Sequence, residues 1–241
     1  MPASQATSLG KDEIHIYISK LDHPVNEINQ YRELLTQEEL SKAARYLLPS
    51  RQNTFILSRG KLRAHLAHYT SLPAKHIEFI YSKNQKPFIS EKQNSTNPVY
   101  FNISHSHNYI LHAFARTSIL GIDIEYKSNE RPFAALAERF YTATENQQFH
   151  NSKNKLEIFY RLWVLKEAYL KSQGIGLSGG LKNIEFTLGS NHQLPVLKIL
   201  RHSGENKKLH AQELLIHPDY QSALICDLEH PRVLLFYDLP G

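Results

Sequence analysis

The sequence predicts an α+β protein made of two similar halves related by a pseudo-twofold axis, residues 1–118 and 119–241. Three observations carry this. Short alternations of strand period are interspersed with longer stretches of helical period. The 241 residues, 41% of them hydrophobic, suffice for one large domain or two small ones sharing an interface. The sequence also repeats itself. Ser71-Leu-Pro-Ala-Lys-His-Ile-Glu-Phe79 lines up with Ser178-Gly-Gly-Leu-Lys-Asn-Ile-Glu-Phe186, so that Phe186 stands 107 positions after Phe79. Ile14-His-Ile-Tyr17 lines up with Ile122-Asp-Ile-Glu125, 108 positions on. Two anchors at nearly one offset, with a helix between them in each copy, point to duplication.

The elements follow in order. Glu13 to Ser19 alternates as a strand, with Ile14, Ile16 and Ile18 on one face. Helical texture runs from about Tyr31 to Leu47, breaks at Pro49-Ser50 and resumes to about Tyr69. Ile77 to Tyr81 reads as a strand, and residues 82–98, with two prolines among Lys, Asn, Gln and Ser, as a loop. Strands are expected at about 99–104 and 109–116, and a further one at Leu120 to Tyr126. Helical patterns then cover 133–150 and, most strongly, 156–173, followed by a Gly-rich turn; 183–239 reads as short strands and loops.

Composition narrows the function. No apolar run approaches the ~20 residues that cross a bilayer, and Met1 to Gly10 lacks the basic flank and apolar stretch of a signal peptide. The single cysteine, Cys226, excludes an internal disulfide and any multi-cysteine zinc site. A cytoplasmic location is expected. The net charge of +5 lies wholly in the first half: residues 1–120 hold 14 Lys/Arg against 9 Asp/Glu, residues 121–241 hold 14 of each. Lys42, Arg45, Arg51, Arg59, Lys61 and Arg63 fall in 40–63 with no acid among them. As a cluster they suit an anionic partner; each alone suits a solvated helix face.

The copies differ where chemistry is expected. Asp123 and Glu125 stand where the first copy has His15 and Tyr17. Period two puts both carboxylates on one strand face, where burial costs several kcal/mol unless a positive charge lies between them. Two solvated acids on an exposed edge strand are the alternative. On the helix over 156–173, Ile158, Leu162, Leu165 and Tyr169 form the core stripe, and Trp163, Glu167 and Lys171 a second line beside it. Trp163 is expected to serve packing, and Glu167–Lys171 alone is an ordinary i,i+4 pair. In the first copy, however, Gly60 and Ala64 occupy the two charged positions, so a purely scaffolding role is disfavoured. Asp123, Glu125 and Glu167 form an all-oxygen donor set suited to Mg²⁺ or Mn²⁺, which commonly keeps positions for phosphate oxygens. His105, His107 and His112 invite the alternative of a zinc site, but on a strand only His105 and His107 would share a face, and no third ligand has useful spacing.

Three segments in order, Phe101-Asn-Ile-Ser-His-Ser106, Gly121-Ile-Asp-Ile-Glu125 and Trp163-Val-Leu-Lys-Glu-Ala-Tyr-Leu-Lys171, resemble the 4′-phosphopantetheinyl transferase superfamily. Length and the two-half plan resemble its surfactin-synthetase-activating type. Lesser likenesses lie at Arg51 to Arg63, Lys86-Pro-Phe88 and Arg139-Phe-Tyr-Thr-Ala-Thr-Glu145; none is evident after Leu188. The resemblance implies transfer of the phosphopantetheine arm of coenzyme A to a carrier-protein serine. It places coenzyme A between the halves, its pyrophosphate on a metal held by Asp123, Glu125 and Glu167. Ser104 and His105 would meet the nucleotide phosphates, His105 at the 3′-phosphate. Lys86 and Pro87 would lie along the adenine, and Arg51 would complete the phosphate clamp. Glu167 would be the base, Lys171 would neutralise the departing 3′,5′-ADP, and the carrier would dock around Arg131 to Phe140. Glu145 is marked by the resemblance, yet a helix N-terminal acid explains it equally.

A metal-dependent phosphatase or nuclease, and a non-catalytic nucleic-acid-binding module, are the alternative classes. No helix-turn-helix, zinc-finger or RNP signature supports the last. The expected partners are coenzyme A and an acidic apo carrier protein, with no nucleic acid and no membrane. A monomer is expected, since the interface of a symmetric dimer would be internal.

Overall fold

The duplication read from the sequence is visible as a repeated order of elements in the computed structural model, which describes residues 8–21, 25–176, 180–189, 194–200 and 208–238. Met1 to Thr7, and Ser178 and Gly179 of the second repeat anchor, lie outside the described residues. The first half runs β1 (Glu13–Lys20), α1 (Val25–Arg32), α2 (Gln37–Ala43), α3 (Pro49–Thr70), β2 (Phe79–Tyr81), β3 (Pro87–Ile89), β4 (Tyr100–Ser106) and β5 (Tyr109–Ala115). The second runs β6 (Leu120–Tyr126), α4 (Phe133–Phe140), α5 (Ala143–Asn151), α6 (Lys155–Gln173), β7 (Ile184–Thr187), β8 (Val196–Ile199), β9 (His210–Leu214) and β10 (Tyr220–Cys226), with β11 (Arg232–Asp238) at the end.

Each half closes an antiparallel three-strand unit in one order, β1-β5-β4 and β6-β10-β9, and each carries a small hairpin, β2–β3 and β7–β8. A 3₁₀ turn precedes each hairpin, at Ala74–His76 and Leu181–Asn183, again 107 positions apart. The halves are thus structurally similar, with β1 the counterpart of β6 and α3 of α6. They differ at one edge. The far side of β1 is taken by β11 in parallel register, Ile16 opposite Leu235, whereas the far side of β6 faces β4.

Local chemistry explains the helix limits. Pro49 opens α3 instead of breaking the chain: at the first helical position its fixed φ is already helical and its missing N–H costs no bond. The expected helix over 133–150 is two helices, because Thr142 caps α5 in a capping box with Glu145. The expected loop over 82–98 contains β3, whose three residues are too few for a periodic signal. Helix α6 begins on the Asn154 cap and ends at Gly174, which takes the left-handed φ of +66°.

The core between the two sheets joins the halves: Ile14, Ile16, Ile18, Leu111 and Ala113 pack with Leu120, Ile122, Ile124 and Leu224. The other face of each sheet is covered by its helix, α3 by way of Leu62 and Leu66, α6 by way of Leu162, Leu165 and Ala168. Trp163 packs, stacking on Phe159 at 5.5 Å between ring centroids. Among the described residues no helix is long and apolar enough to cross a membrane.

Candidate active site

The seam between β4 and β6 is built from side chains. β6 pairs with β10 along one edge, leaving alternate N–H groups of the other edge in need of acceptors. β4 supplies them at period two. Asn102 Oδ1 accepts from the Ile122 N–H (2.9 Å), Ser104 Oγ from Ile124 (3.2 Å) and Ser106 Oγ from Tyr126 (3.0 Å). The two serine hydroxyls donate in turn to the carboxylates, Ser104 to Asp123 Oδ1 (2.8 Å) and Ser106 to Glu125 Oε2 (2.9 Å).

Helix α6 brings the remaining groups. Gly121 allows it, since a Cβ there would stand 1.9 Å from the Ala168 carbonyl oxygen, a separation no side chain tolerates. From this close approach Lys171 Nζ reaches Asp123 Oδ1 at 2.6 Å and Ser104 Oγ at 2.8 Å. Burial pushes the Glu167 carboxyl up to about 7, with Asp123 and Glu125 adding to the rise and Lys171 opposing it. Glu125 is raised by burial and by Asp123, against the pull of Arg131 at 3.4 Å. The three carboxylates therefore share one field.

Asp123 Oδ2 and Glu167 Oε1 are buried without a hydrogen-bond partner. Two such acid oxygens beside a third carboxylate fit a hard cation. As the side chains stand, no group of three or more His, Cys, Asp or Glu among the described residues is close enough to hold a metal ion. Lys171, and at Glu125 Arg131, supply the positive charge instead.

Two cavities flank this seam. One of about 270 Å³ brings Lys86 and Pro87 of the first half against Glu167, Lys171 and Gly174 of the second. Within it the Lys86 ammonium is committed to the carbonyls of Lys171 (2.6 Å) and Leu120 (3.2 Å), and burial beside Lys171 lowers its pKa to about 8. The other, about 650 Å³, is lined by Arg51, Tyr46, Phe55, His105 and His107. Ser104 and His105 are strand neighbours facing opposite ways, one into the seam and one onto this cavity. His107 stacks on Tyr126 at 4.7 Å, while His112 lies buried in β5 beside His65, so His112 does not share the cavity that His105 and His107 line.

The basic stretch of 40–63 requires correction. Arg59, Lys61 and Arg63 are buried. Arg63 makes a two-pronged pair with Glu39 (2.7 and 3.0 Å), an acid just ahead of the stretch, and also donates to the carbonyls of Ala74 and Ile77. Arg59 stands 3.5 Å from the same carboxylate, and Lys61 reaches the Tyr31 hydroxyl at 3.3 Å. Lys42, Arg45 and Arg51 remain exposed.

In the first half, the counterpart of the carboxylate site is filled. His15 Nδ1 lies 2.7 Å from the Tyr69 hydroxyl, Tyr17 OH 2.9 Å from the same oxygen, and the Tyr17 ring stacks on His65. At Gly60, matched to Glu167, an added Cβ would meet Tyr31 Cβ at 2.5 Å, so α1 closes that position.

Two further residues were not legible as a pair. Glu145 and Lys166 form an ion pair at 2.7 Å with both side chains fully buried. Lys166 also donates to the carbonyls of Leu181 and Ile184, and Glu145 accepts from the N–H groups of Thr142 and Phe186. Every ammonium proton is used, and the pair ties α5, α6 and β7 together. Ser106, like Asn102, was missed as a site residue. The signal available was the run of polar residues at 102, 104 and 106 alternating with Phe101 and Ile103.

Residues 119–225 match the model of the 4′-phosphopantetheinyl transferase superfamily, and residues 23–118 that of the 4′-phosphopantetheinyl transferase N-terminal region. The chain is 32% identical over 190 residues to 4′-phosphopantetheinyl transferase HetI of Nostoc sp., covering 78% of this chain and 79% of that one. It is 27% identical over 186 residues to 4′-phosphopantetheinyl transferase Sfp of Bacillus subtilis, covering 75% and 80%. Against the crystal structure of Thermotoga maritima holo-[acyl-carrier-protein] synthase the TM-score is 0.38 at 28% identity, over 44% of this chain and 60% of that one.

Proposed function

The chain belongs to the 4′-phosphopantetheinyl transferase superfamily, and from that premise we propose that it moves the 4′-phosphopantetheine group of coenzyme A onto a serine of an apo carrier protein, releasing 3′,5′-ADP. The single observation that carries the reading is the seam itself: three coupled carboxylates, two with buried unpartnered oxygens, beside Lys171 and between two cavities.

Asp123, Glu125 and Glu167 would hold Mg²⁺, or Mn²⁺ in its place. A bound divalent cation polarises phosphoryl oxygens and offsets their charge. The carrier serine oxygen attacks the phosphorus bearing the pantetheine arm, and the bond to the bridging oxygen of the pyrophosphate breaks, its electron pair leaving with 3′,5′-ADP. The hydroxyl proton passes to Glu167, the α6 carboxylate that lines the cavity shared with Lys86 and Lys171. Lys171 lies where the leaving charge collects. His105 and Arg51 receive the 3′-phosphate from their shared cavity, Ser104 orients Asp123 and Lys171 beside the pyrophosphate, and the Lys86 stem with Pro87 borders the adenine. The carrier docks by Arg131 to Phe140, and the chain works as a monomer because the seam is internal.

The test is to incubate the protein with coenzyme A, Mg²⁺ and an apo carrier and weigh the carrier. One phosphopantetheine should be added per carrier chain, with Asp123→Ala and Glu167→Ala each slowing transfer at least ~100-fold while circular dichroism is unchanged. An unmodified carrier from the unaltered protein would exclude the reading.

A further inference from the structure

The serines of β4 do more than join two sheets. A hydroxyl has one proton to donate and two lone pairs to accept with. Ser106 spends its proton on Glu125 Oε2 (2.9 Å) and a lone pair on the Tyr126 N–H (3.0 Å). The same atom thus fixes the height of β6 and the direction of the carboxylate. Ser104 repeats the arrangement one step along, bonding Asp123 Oδ1 and the Ile124 N–H, and there Lys171 joins it. Asn102 performs only the first task, accepting from the Ile122 N–H. Glu125 needs such a guide more than Asp123 does. It is only half-buried, its side chain is longer by one rotatable bond, and its other partner, Arg131, lies at 3.4 Å with 44% of its side chain exposed.

We propose that Ser106 is a positioning residue for the metal-binding carboxylates, holding Glu125 in the orientation that a divalent cation requires while it seats the strand that carries it. The proposal rests on the reading of Asp123, Glu125 and Glu167 as a cation site. Residues that orient metal ligands typically change metal affinity by 10–100-fold when lost, because the ligand must then be ordered at the moment of binding.

The test measures binding without turnover: Mn²⁺ is titrated into the full chain and the free ion is followed by electron paramagnetic resonance. Ser106→Ala should weaken Mn²⁺ about tenfold, and Ser106→Thr, which keeps the hydroxyl, should restore affinity to within about threefold of the unaltered chain. Asn102→Ala, which removes a strand bond but no carboxylate bond, should lower the melting temperature without moving the Mn²⁺ midpoint. If Ser106→Ala does not fold, Ser106→Cys takes its place, retaining the volume with a much weaker donor. Unchanged Mn²⁺ affinity in Ser106→Ala or Ser106→Cys overturns the positioning role, as does an equal loss in Asn102→Ala, which would make strand placement the whole effect. An unaltered chain that binds no Mn²⁺ fails differently, removing the cation site together with the proposal.

Discussion

Lys171 Nζ stands 2.6 Å from Asp123 Oδ1, so an ammonium from α6 balances a carboxylate of β6 that is 5% exposed. Lys171→Met therefore leaves Asp123 buried beside Glu125 and Glu167 with no cation on it. The expected loss of stability is about 1–3 kcal/mol, below the full cost of breaking a buried pair because the ammonium is partly solvated. Mg²⁺ should raise the melting temperature of the variant more than that of the unaltered protein, since a divalent cation replaces the missing charge. Equal Mg²⁺ shifts in the two proteins would show that Lys171 and the cation do not serve the same carboxylate.

Gly121 sets the distance between β6 and α6. Gly121→Ala forces a methyl group against the Ala168 carbonyl and the Ser172 N–H. Backbone cannot yield as a flexible side chain does, so about 1–3 kcal/mol of stability should be lost. Transfer should fall by more than that destabilisation explains at temperatures where the protein is folded, because α6 carries Glu167 and Lys171. Retention of full turnover by a folded Gly121→Ala protein would contradict the geometry.

Arg51 and Arg63 lie on one helix and should respond oppositely. Arg63→Ala removes the two-pronged partner of Glu39 and leaves it Arg59 at 3.5 Å, so it is expected to cost about 2–3 kcal/mol in chemical denaturation, below the cost of a wholly unpaired buried charge. Arg51→Ala should leave the denaturation midpoint within about 0.5 kcal/mol and instead weaken coenzyme A more than 3′-dephospho-coenzyme A. Equal losses for the two ligands would move the 3′-phosphate away from the Arg51–His105 cavity.

His65 makes the fold sensitive to acid. Burial holds its pKa down to about 3, with Lys61 and His68 adding to the fall, whereas in the unfolded chain it titrates near 6.5. The lower folded value means that this contribution is complete above pH 6.5 and is lost as pH falls from there towards 3. His65→Phe, which keeps a ring to stack on Tyr17, should shift the acid-unfolding midpoint to lower pH. An unmoved midpoint would assign acid unfolding to other groups.

Much of this was legible in the sequence. Strand β6 was readable to the residue because Leu120, Ile122 and Ile124 alternate with groups of different character, and α6 because its core stripe, Ile158 to Tyr169, runs for about three turns. The duplication was readable because Lys-x-Ile-Glu-Phe survived twice in one register. The stretch from about Tyr31 to Leu47 reads in sequence as one helix but holds the end of α1 and all of α2, since the residues that separate them act by capping, as Thr36 does through Glu39, and not by a break in hydrophobicity.

By itself, the sequence determined the two-half α+β plan, the family, and which acids differ between the copies, because periodicity, spacing and local motifs are properties of neighbours along the chain. Only the tertiary structure decided which cations are free. Arg63 and Arg51 look alike in sequence, but Glu39 reaches one and solvent the other. Only it decided that Glu145 and Lys166 neutralise each other, and that Asn102, Ser104 and Ser106 complete the open edge of β6. The physical reason is common to all three. The worth of a charge or hydroxyl depends on burial and on a partner within about 3 Å, and both are fixed by how distant segments pack.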